Sequence, residues 1–259
     1  MTKVCISALV VVFNEEKYLD ACLKQLLFCD ELVVVDLGSR DQSLQIASRY
    51  ATQIIKLPFI DLVEAVHCRM IPQLKNNLIL IIDPDEILPD GLVAEIKDFI
   101  DAKHDFDQIN APWRFIFKNK ILRGTVWGGN DKWKKIILNK NSLQLLPHVH
   151  RGIKYNKEKA SIINLKSRHF IQHYWCDSYR QLFDKHLRYI KKEGESRYGE
   201  GARYSFSKKV KESLMALYAG LINMKGILYG PREIFLSFFY AWYVWQANNS
   251  LKHYEKRFE

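Results

Sequence analysis

Ile79–Glu86 reads Ile-Leu-Ile-Ile-Asp-Pro-Asp-Glu. An apolar, β-branched run ends abruptly in three carboxylates, Asp83, Asp85 and Glu86. A run of this kind reads as a buried strand. The carboxyl end of such a strand is where an open α/β sheet places its ligand site. Carboxylates gathered there repel one another unless a cation shares them, and hard divalent cations prefer oxygen ligands. Mg²⁺ or Mn²⁺ is commonly held by one or two carboxylates, with substrate phosphates completing the shell. The stretch therefore points to a metal–phosphate site. The competing reading is a charged turn that caps the following helix, with Asp83 or Asp85 near its N-terminus.

The preceding residues repeat the pattern. Val4–Phe13 is a strand-like run ending in Asn14-Glu15-Glu16, and Val33–Asp36 is another, ending in Asp36-Leu37-Gly38-Ser39-Arg40-Asp41. Gln53–Leu57 is a weaker fourth. Helical patterns lie between them at Glu16–Phe28, Asp41–Tyr50 and Leu62–Leu74. Strand and helix alternating at this spacing predict an α/β fold, a mostly parallel sheet flanked by helices. Three strands would then end in polar or acidic residues on one sheet edge.

These residues carry a family likeness. Val-Val-Phe-Asn-Glu-Glu at 11–16, Val-Val-Asp-Leu-Gly-Ser-Arg-Asp at 34–41 and Asp-Pro-Asp-Glu at 83–86 resemble the signatures of family 2 glycosyltransferases of GT-A fold. The resemblance is close over residues 4–100 and looser beyond. It implies a Rossmann-type sheet and a nucleotide-sugar site built from Phe13, Asn14, Glu15, Asp36, Ser39, Asp83, Pro84 and Asp85. Asp36 would meet the base. Asp83 would lie near ribose and metal, and Asp85 would be the main ligand of a divalent cation, Mn²⁺ or Mg²⁺. Arg69 stands in the nearest counterpart of the family's Ala-Arg-Asn segment, and a guanidinium there suits a phosphate. Leu37 departs from the family's small or polar residue, and Pro84 fills the middle of the acidic motif.

The later residues supply the acceptor side. Asn110–Phe117 and Trp133–Leu138 look like strands, and the loop between them holds Trp127-Gly128-Gly129-Asn130-Asp131. Val149-His150-Arg151, then His173-Tyr174, then a Lys- and Tyr-bearing helix over Ser178–Glu195 resemble the bacterial lipopolysaccharide-core branch, with Arg151 in place of that branch's Glu. An imidazole near an acidic motif is a natural extra metal ligand. His150 is the first candidate and His173 the second, while His148 shares a face with His150 if the segment is extended. Asp131, a carboxylate in a Gly-rich loop, is the leading general base and His150 the alternative. The expected reaction is inverting transfer of a hexose, UDP-linked by expectation, to a glycan or glycolipid acceptor such as lipopolysaccharide core. The alternatives are a nucleotidyltransferase of similar architecture, for which residues 11–18 lack a Gly-rich basic phosphate loop, and a non-catalytic glycan- or membrane-binding protein of decayed transferase fold.

Charge divides the chain. Residues 1–150 sum to −1 and residues 151–259 to +11. A basic half implies an anionic partner. No nucleic-acid motif is present. Ile234–Ala247 is rich in Phe, Tyr and Trp and is flanked by Arg232, Lys252, Lys256 and Arg257. That pattern suits a helix lying in an anionic membrane interface, with a core helix or a dimer interface as the other readings. The expected division is a catalytic domain over 1–175 and a basic, aromatic helical region over 176–259. Five cysteines without paired spacing, no signal-peptide pattern and no membrane span fit a cytoplasmic enzyme, peripheral on the inner face of the cell membrane. The sequence leaves the oligomeric state open.

Overall fold

The N-terminal strands alternate their side chains between two buried faces. The computed structural model describes residues 4–102, 105–128, 132–145, 153–156 and 160–258. In β1 (Ile6–Val12), Ala8 and Val10 enter one apolar cluster and Leu9 another. In β2 (Glu31–Asp36), Val34 takes the first face, and Val33 and Val35 the second. Strands covered on both faces have no polar positions to spare, which is why they read as unbroken apolar runs. The first face is covered by Leu19 and Leu23 of α1 (Glu16–Lys24), Ile46 of α2 (Ser43–Ala47), and Leu92, Ile96 and Ile100 of α4 (Asp90–Asp101). Val66 and Met70 of α3 (Val63–Met70) cover the second.

β3 (Gln53–Lys56), β2, β1 and β4 (Leu78–Ile81) lie side by side in that order, all parallel. Helices α1, α2 and α3 make the crossovers that parallel neighbours require. Beyond β4 the sheet changes sense. β8 (Trp133–Asn139) runs antiparallel to β4 and to β6 (Gln108–Phe117). The path continues through β12 (Ile171–Cys176) to β5 (Glu86–Ile87), an antiparallel pair. β7 (Lys120–Ile121) and β11 (Ile162–Asn164) also pair with β6, and β9 (Leu143–Leu145) pairs with β10 (Ile153–Tyr155). The expected α/β class holds, with a parallel first half and a mixed second half.

Two registers matter for the site. β4 and β8 match Leu80 with Ile137, and continuing that register sets Asp83 opposite Lys134. β5 and β12 match Glu86 with His173.

The chain divides into two compact units. The first is Met1–Trp113 with Trp133–His173, and the second is Arg114–Lys132 with Tyr174–Glu259. The division falls inside β6 and inside β12.

The second unit is mainly helical, with α5 (Tyr179–Gly199), α6 (Phe206–Tyr218), a π turn (Ala219–Asn223), α7 (Gly226–Tyr229) and α8 (Pro231–Glu255). Ser178 caps α5, its Oγ accepting from the Gln181 amide at 3.1 Å. Gly230 at φ 112° takes a backbone conformation that favours glycine, and Pro231 then opens α8 where its missing N–H leaves nothing unsatisfied. α8 packs on α5 and α6 and buries Leu236, Phe239, Val244, Ala247 and Leu251. The Phe239 ring meets those of Trp127, Phe183, His186 and Trp242. The aromatic stretch read as a membrane-interface helix is thus the core of this unit. Most of its rings pack against other aromatic side chains of the unit, while Phe238 stays exposed. Among the described residues no helix is long and apolar enough to cross a membrane.

Candidate functional site

The carboxyl ends of β1 and β2 are tied together by a small polar network. Val12 pairs with Asp36, so the residues after each strand emerge as neighbours. Asn14 takes a left-handed conformation at φ 57°, tolerated by Asn better than by most residues. Its amide donates to Ser39 Oγ at 3.0 Å, and its own Oδ1 accepts from the Arg40 amide at 2.8 Å. Ser39 N donates to Asp36 Oδ1 at 3.1 Å, and Glu15 N donates to Ser43 Oγ at 2.9 Å. Gly38 makes the turn at φ 88°. Leu37, the departure from the family pattern, is buried with Leu57 in the second apolar face and takes no part in the polar rim. Phe13 is exposed, its ring centroid 4.6 Å from that of Phe59.

The acidic turn follows β4. Asp83 N donates to Glu86 Oε2 at 2.9 Å and Glu86 N donates to the Asp83 carbonyl at 3.0 Å, a closed turn with Pro84 buried inside it. Lys134 of β8 reaches across with its ammonium, 2.6 Å from Asp83 Oδ2 and also bonded to Glu86 Oε2. The same ammonium lies 5.6 Å from the Trp113 ring. The charges settle unequally. Burial pushes the Glu86 carboxyl above its usual range. Burial acts on Asp83 too, yet the Lys134 ammonium outweighs it and holds that carboxyl at about 2. The Asp83 side chain is still 46 % exposed, so the ammonium, not enclosure, governs it. Burial would lower Lys134, but its two carboxylate partners raise it above the ordinary lysine value. Cys22 Sγ lies 3.6 Å from the Asp83 carbonyl, and burial reinforced by Glu86, Asp85 and Asp83 keeps its thiol protonated.

Asp85 points to a different partner. Its Oδ2 is 3.2 Å from His173 Nε2, and the His173 ring stacks on Trp113 with centroids 5.2 Å apart and planes 7° apart. Among the described residues no three His, Cys, Asp or Glu side chains converge on a metal cage. The donor set fits the other arrangement. A hard cation can take Asp85, with His173 beside it, and draw the rest of its shell from phosphate oxygens.

Of the residues singled out from sequence, Asn14, Asp36 and Ser39 come together at one end of the parallel strands, with Phe13 and Glu15 beside them. Asp83, Pro84 and Asp85 form the acidic turn. Arg69 is exposed near the end of α3. Asp131, His148, His150 and Arg151 lie outside the described residues. Sequence reasoning missed Lys134 and Trp113. Lys134 sits among Lys132 and Lys135, and only the β4–β8 register distinguishes it.

The pattern of glycosyl transferase family 2 matches residues 7–175, more than half of the chain. The chain belongs to glycosyl transferase family 2. The matched residues of this family 2 chain run from β1 to β12 and include both the polar rim and the acidic turn. Among solved structures, S. aureus TarS 1-349 aligns over 98 % of this chain and 92 % of its own, with 14 % identity and a TM-score of 0.50, a likeness of fold. TarS 1-349 in complex with UDP-GlcNAc aligns over 44 % of this chain and 35 % of its own, at 25 % identity and a TM-score of 0.37. Glucosyl-3-phosphoglycerate synthase from Mycobacterium tuberculosis, in complex with Mn²⁺, UDP and glucosyl-3-phosphoglycerate, aligns over 43 % and 44 %, at 17 % identity and a TM-score of 0.36. In the last two alignments the family 2 chain spans less than half the length of its match.

Proposed function

We propose that this family 2 glycosyltransferase moves a hexose from a UDP-sugar to a hydroxyl of an anionic glycolipid acceptor of the lipopolysaccharide-core type, inverting the anomeric configuration. The observation that carries the donor half is the placement of Asp83-Pro84-Asp85-Glu86 after β4, in the same parallel sheet whose β1 and β2 ends present Asn14, Asp36 and Ser39. Asp36 and the Asn14–Ser39 rim bind base and ribose, and Phe13 offers the base an apolar face. Asp85, with His173 as neighbour, holds Mn²⁺ or Mg²⁺. When bound, the cation supplies positive charge to the diphosphate. Lys134 keeps Asp83 ionised and in place, and Arg69 meets the departing phosphates. Asp131 takes the proton from the attacking acceptor hydroxyl, with His150 as its alternate. The charge of +11 over residues 151–259 favours an anionic acceptor held at the cytoplasmic face of a membrane.

The test is incubation of the full chain with Mn²⁺ and a panel of UDP-, GDP- and CMP-sugars, and in parallel with nucleoside triphosphates plus sugar 1-phosphates, following free nucleoside diphosphate, CMP and pyrophosphate by phosphorus NMR. Slow hydrolysis of one UDP-sugar, abolished by chelation, is the expected result. Release of pyrophosphate from a nucleoside triphosphate would instead make the chain a nucleotidyltransferase. Inertness toward every donor, together with no UDP binding, would leave a non-catalytic fold.

A further inference from the structure

α6 is built inside out. At about 100° per residue, Lys209, Ser213, Ala216 and, in the π turn, Gly220 fall on one side, and all four are buried. Leu214, Met215, Tyr218 and Ile222 fall on the other side, and all four are exposed. The inward face uses small residues so that backbones approach closely. A Cβ at Gly220 would stand 2.6 Å from Ser237 Oγ of α8, and one at Gly226 would stand 2.6 Å from the Gly220 carbonyl. Lys209 is accommodated inward by the Trp245 ring, 3.5 Å from its Nζ, and by Asn249 Oδ1 at 2.7 Å. The large apolar side chains that would ordinarily fill a core are thus turned outward. α7 continues the pattern, with Ile227, Leu228 and Tyr229 exposed. Leu214 is 61 % exposed and Leu228 75 %. Exposed apolar surface concentrated in one stretch of chain marks a contact site, unlike single scattered leucines.

The charge around the stripe selects the occupant. Lys208 and Lys211 lie on the same outward side as Leu214 and Tyr218, and Lys225 follows the π turn. From Phe206 to Arg232 the single carboxylate is Glu212, and it is engaged by Arg197 Nη1 at 3.2 Å and by Asn248 Nδ2 at 2.9 Å. A second copy of this chain docked symmetrically would bring lysines against lysines, with no carboxylate on the face to answer them. Apolar side chains bracketed by lysines instead match a bilayer surface whose headgroups are anionic.

We propose that the outward face of α6, the π turn and α7 docks on an anionic lipid membrane. The surface gives the membrane contact a place apart from α8, whose Leu236, Phe239, Val244 and Ala247 are buried in its own unit. It rests on the glycolipid-acceptor reading for its role and on the geometry of the second unit for its position.

The test is co-sedimentation of the full chain with phosphatidylglycerol-containing vesicles and with pure phosphatidylcholine vesicles. Wild type should bind the anionic vesicles, and binding should weaken as salt rises, because headgroup attraction is screened. Leu214→Ser combined with Leu228→Ser should weaken binding by about tenfold or more, with an unchanged thermal melt because both side chains are already exposed. Lys211→Glu with Lys225→Glu should do the same through charge. Leu27→Ser alters an equally exposed leucine of the first unit and should leave binding intact. Wild type that ignores anionic vesicles overturns the proposal, as does a leucine pair variant that binds like wild type or a Leu27→Ser variant that loses as much. A dimer that the leucine pair variant abolishes, with no vesicle binding by wild type, assigns the face to a second copy. Donor hydrolysis measured on the same samples separates the two readings. Vesicle binding without hydrolysis counts against the donor assignment alone, and hydrolysis without vesicle binding counts against this surface alone.

Discussion

Lys134 answers two carboxylates from a strand nearly fifty residues away, and it decides how the acidic turn behaves as a unit. Removing it leaves Glu86 buried without the ammonium that favours its ionised form. Lys134→Met should destabilise the protein by about 3–5 kcal/mol, the usual consequence of breaking one side of a buried pair. Adding Glu86→Gln to that variant should restore a substantial part of the loss, read by urea unfolding of wild type and both variants. A double variant no more stable than Lys134→Met would show that Glu86 is not the group left stranded. Asp85 belongs to a different test. Asp85→Asn keeps shape and removes charge, so Mn²⁺-dependent UDP binding should fall by about tenfold or more, roughly 1.4 kcal/mol. Calorimetry giving equal UDP affinity with and without Mn²⁺ would sink the metal assignment. Asp131→Asn should instead slow turnover by about 10²–10⁴-fold with donor affinity nearly intact. Equal rates would move the base to another group. The acidic turn was legible because it is a run of adjacent residues, and Asn14, Asp36 and Ser39 because each lies where an apolar strand run stops. Lys134 was not, because its role arises from antiparallel register, and Lys135 beside it looks the same in sequence.

α8 shows what an element can hide. Its composition, aromatic and cation-flanked, fits both a membrane interface and a helix ringed by other helices. Composition alone does not say which neighbours surround it. Its environment is α5 on one side and α6 on another, and the contact with α5 is close enough to be set by glycine. A Cβ at Gly194 of α5 would meet the Ser250 carbonyl oxygen of α8 at 2.4 Å, a backbone atom that cannot step aside. Gly194→Ala should therefore cost about 1–3 kcal/mol through overpacking, even though alanine is the better helix former. A melt at or above wild type would mean the two helices separate more readily than their packing implies. Phe239→Ala should cost about 3–5 kcal/mol, since its ring fills the cluster of Trp127, Phe183, His186 and Trp242. The N-terminal elements posed no such ambiguity. There, strand, crossover and strand recur with the apolar alternation of a sheet covered on both faces, and the residues themselves specify the neighbours.

At the scale of the whole chain, acid should loosen the protein partly through His186. Burial pushes its pKa below the ordinary 6.5, and its Nδ1 lies 2.7 Å from the Leu182 carbonyl. The folded state therefore disfavours the proton that the unfolded chain accepts. Stability is intact above 6.5, falls as pH drops through that value, and levels off below the lowered folded value. Urea midpoints measured across this window should show the slope, and His186→Phe should flatten it. An unchanged slope would assign the acid sensitivity to other groups. The interleaving of the two units has a consequence for how the molecule comes into being. The strands that carry Asn14, Asp36 and Asp83 leave the ribosome early and can pair at once. Glu86 and Asp85 wait for Lys134 on β8, and then for His173 on β12, before their neighbours exist. During synthesis the proposed base-binding rim has its strands while the proposed cation-binding turn is still bare carboxylate. On the proposed donor site, a nascent chain halted before β12 should recognise uridine yet gain nothing from Mn²⁺, and the order of translation then sets the order in which the two halves of that donor can be recognised.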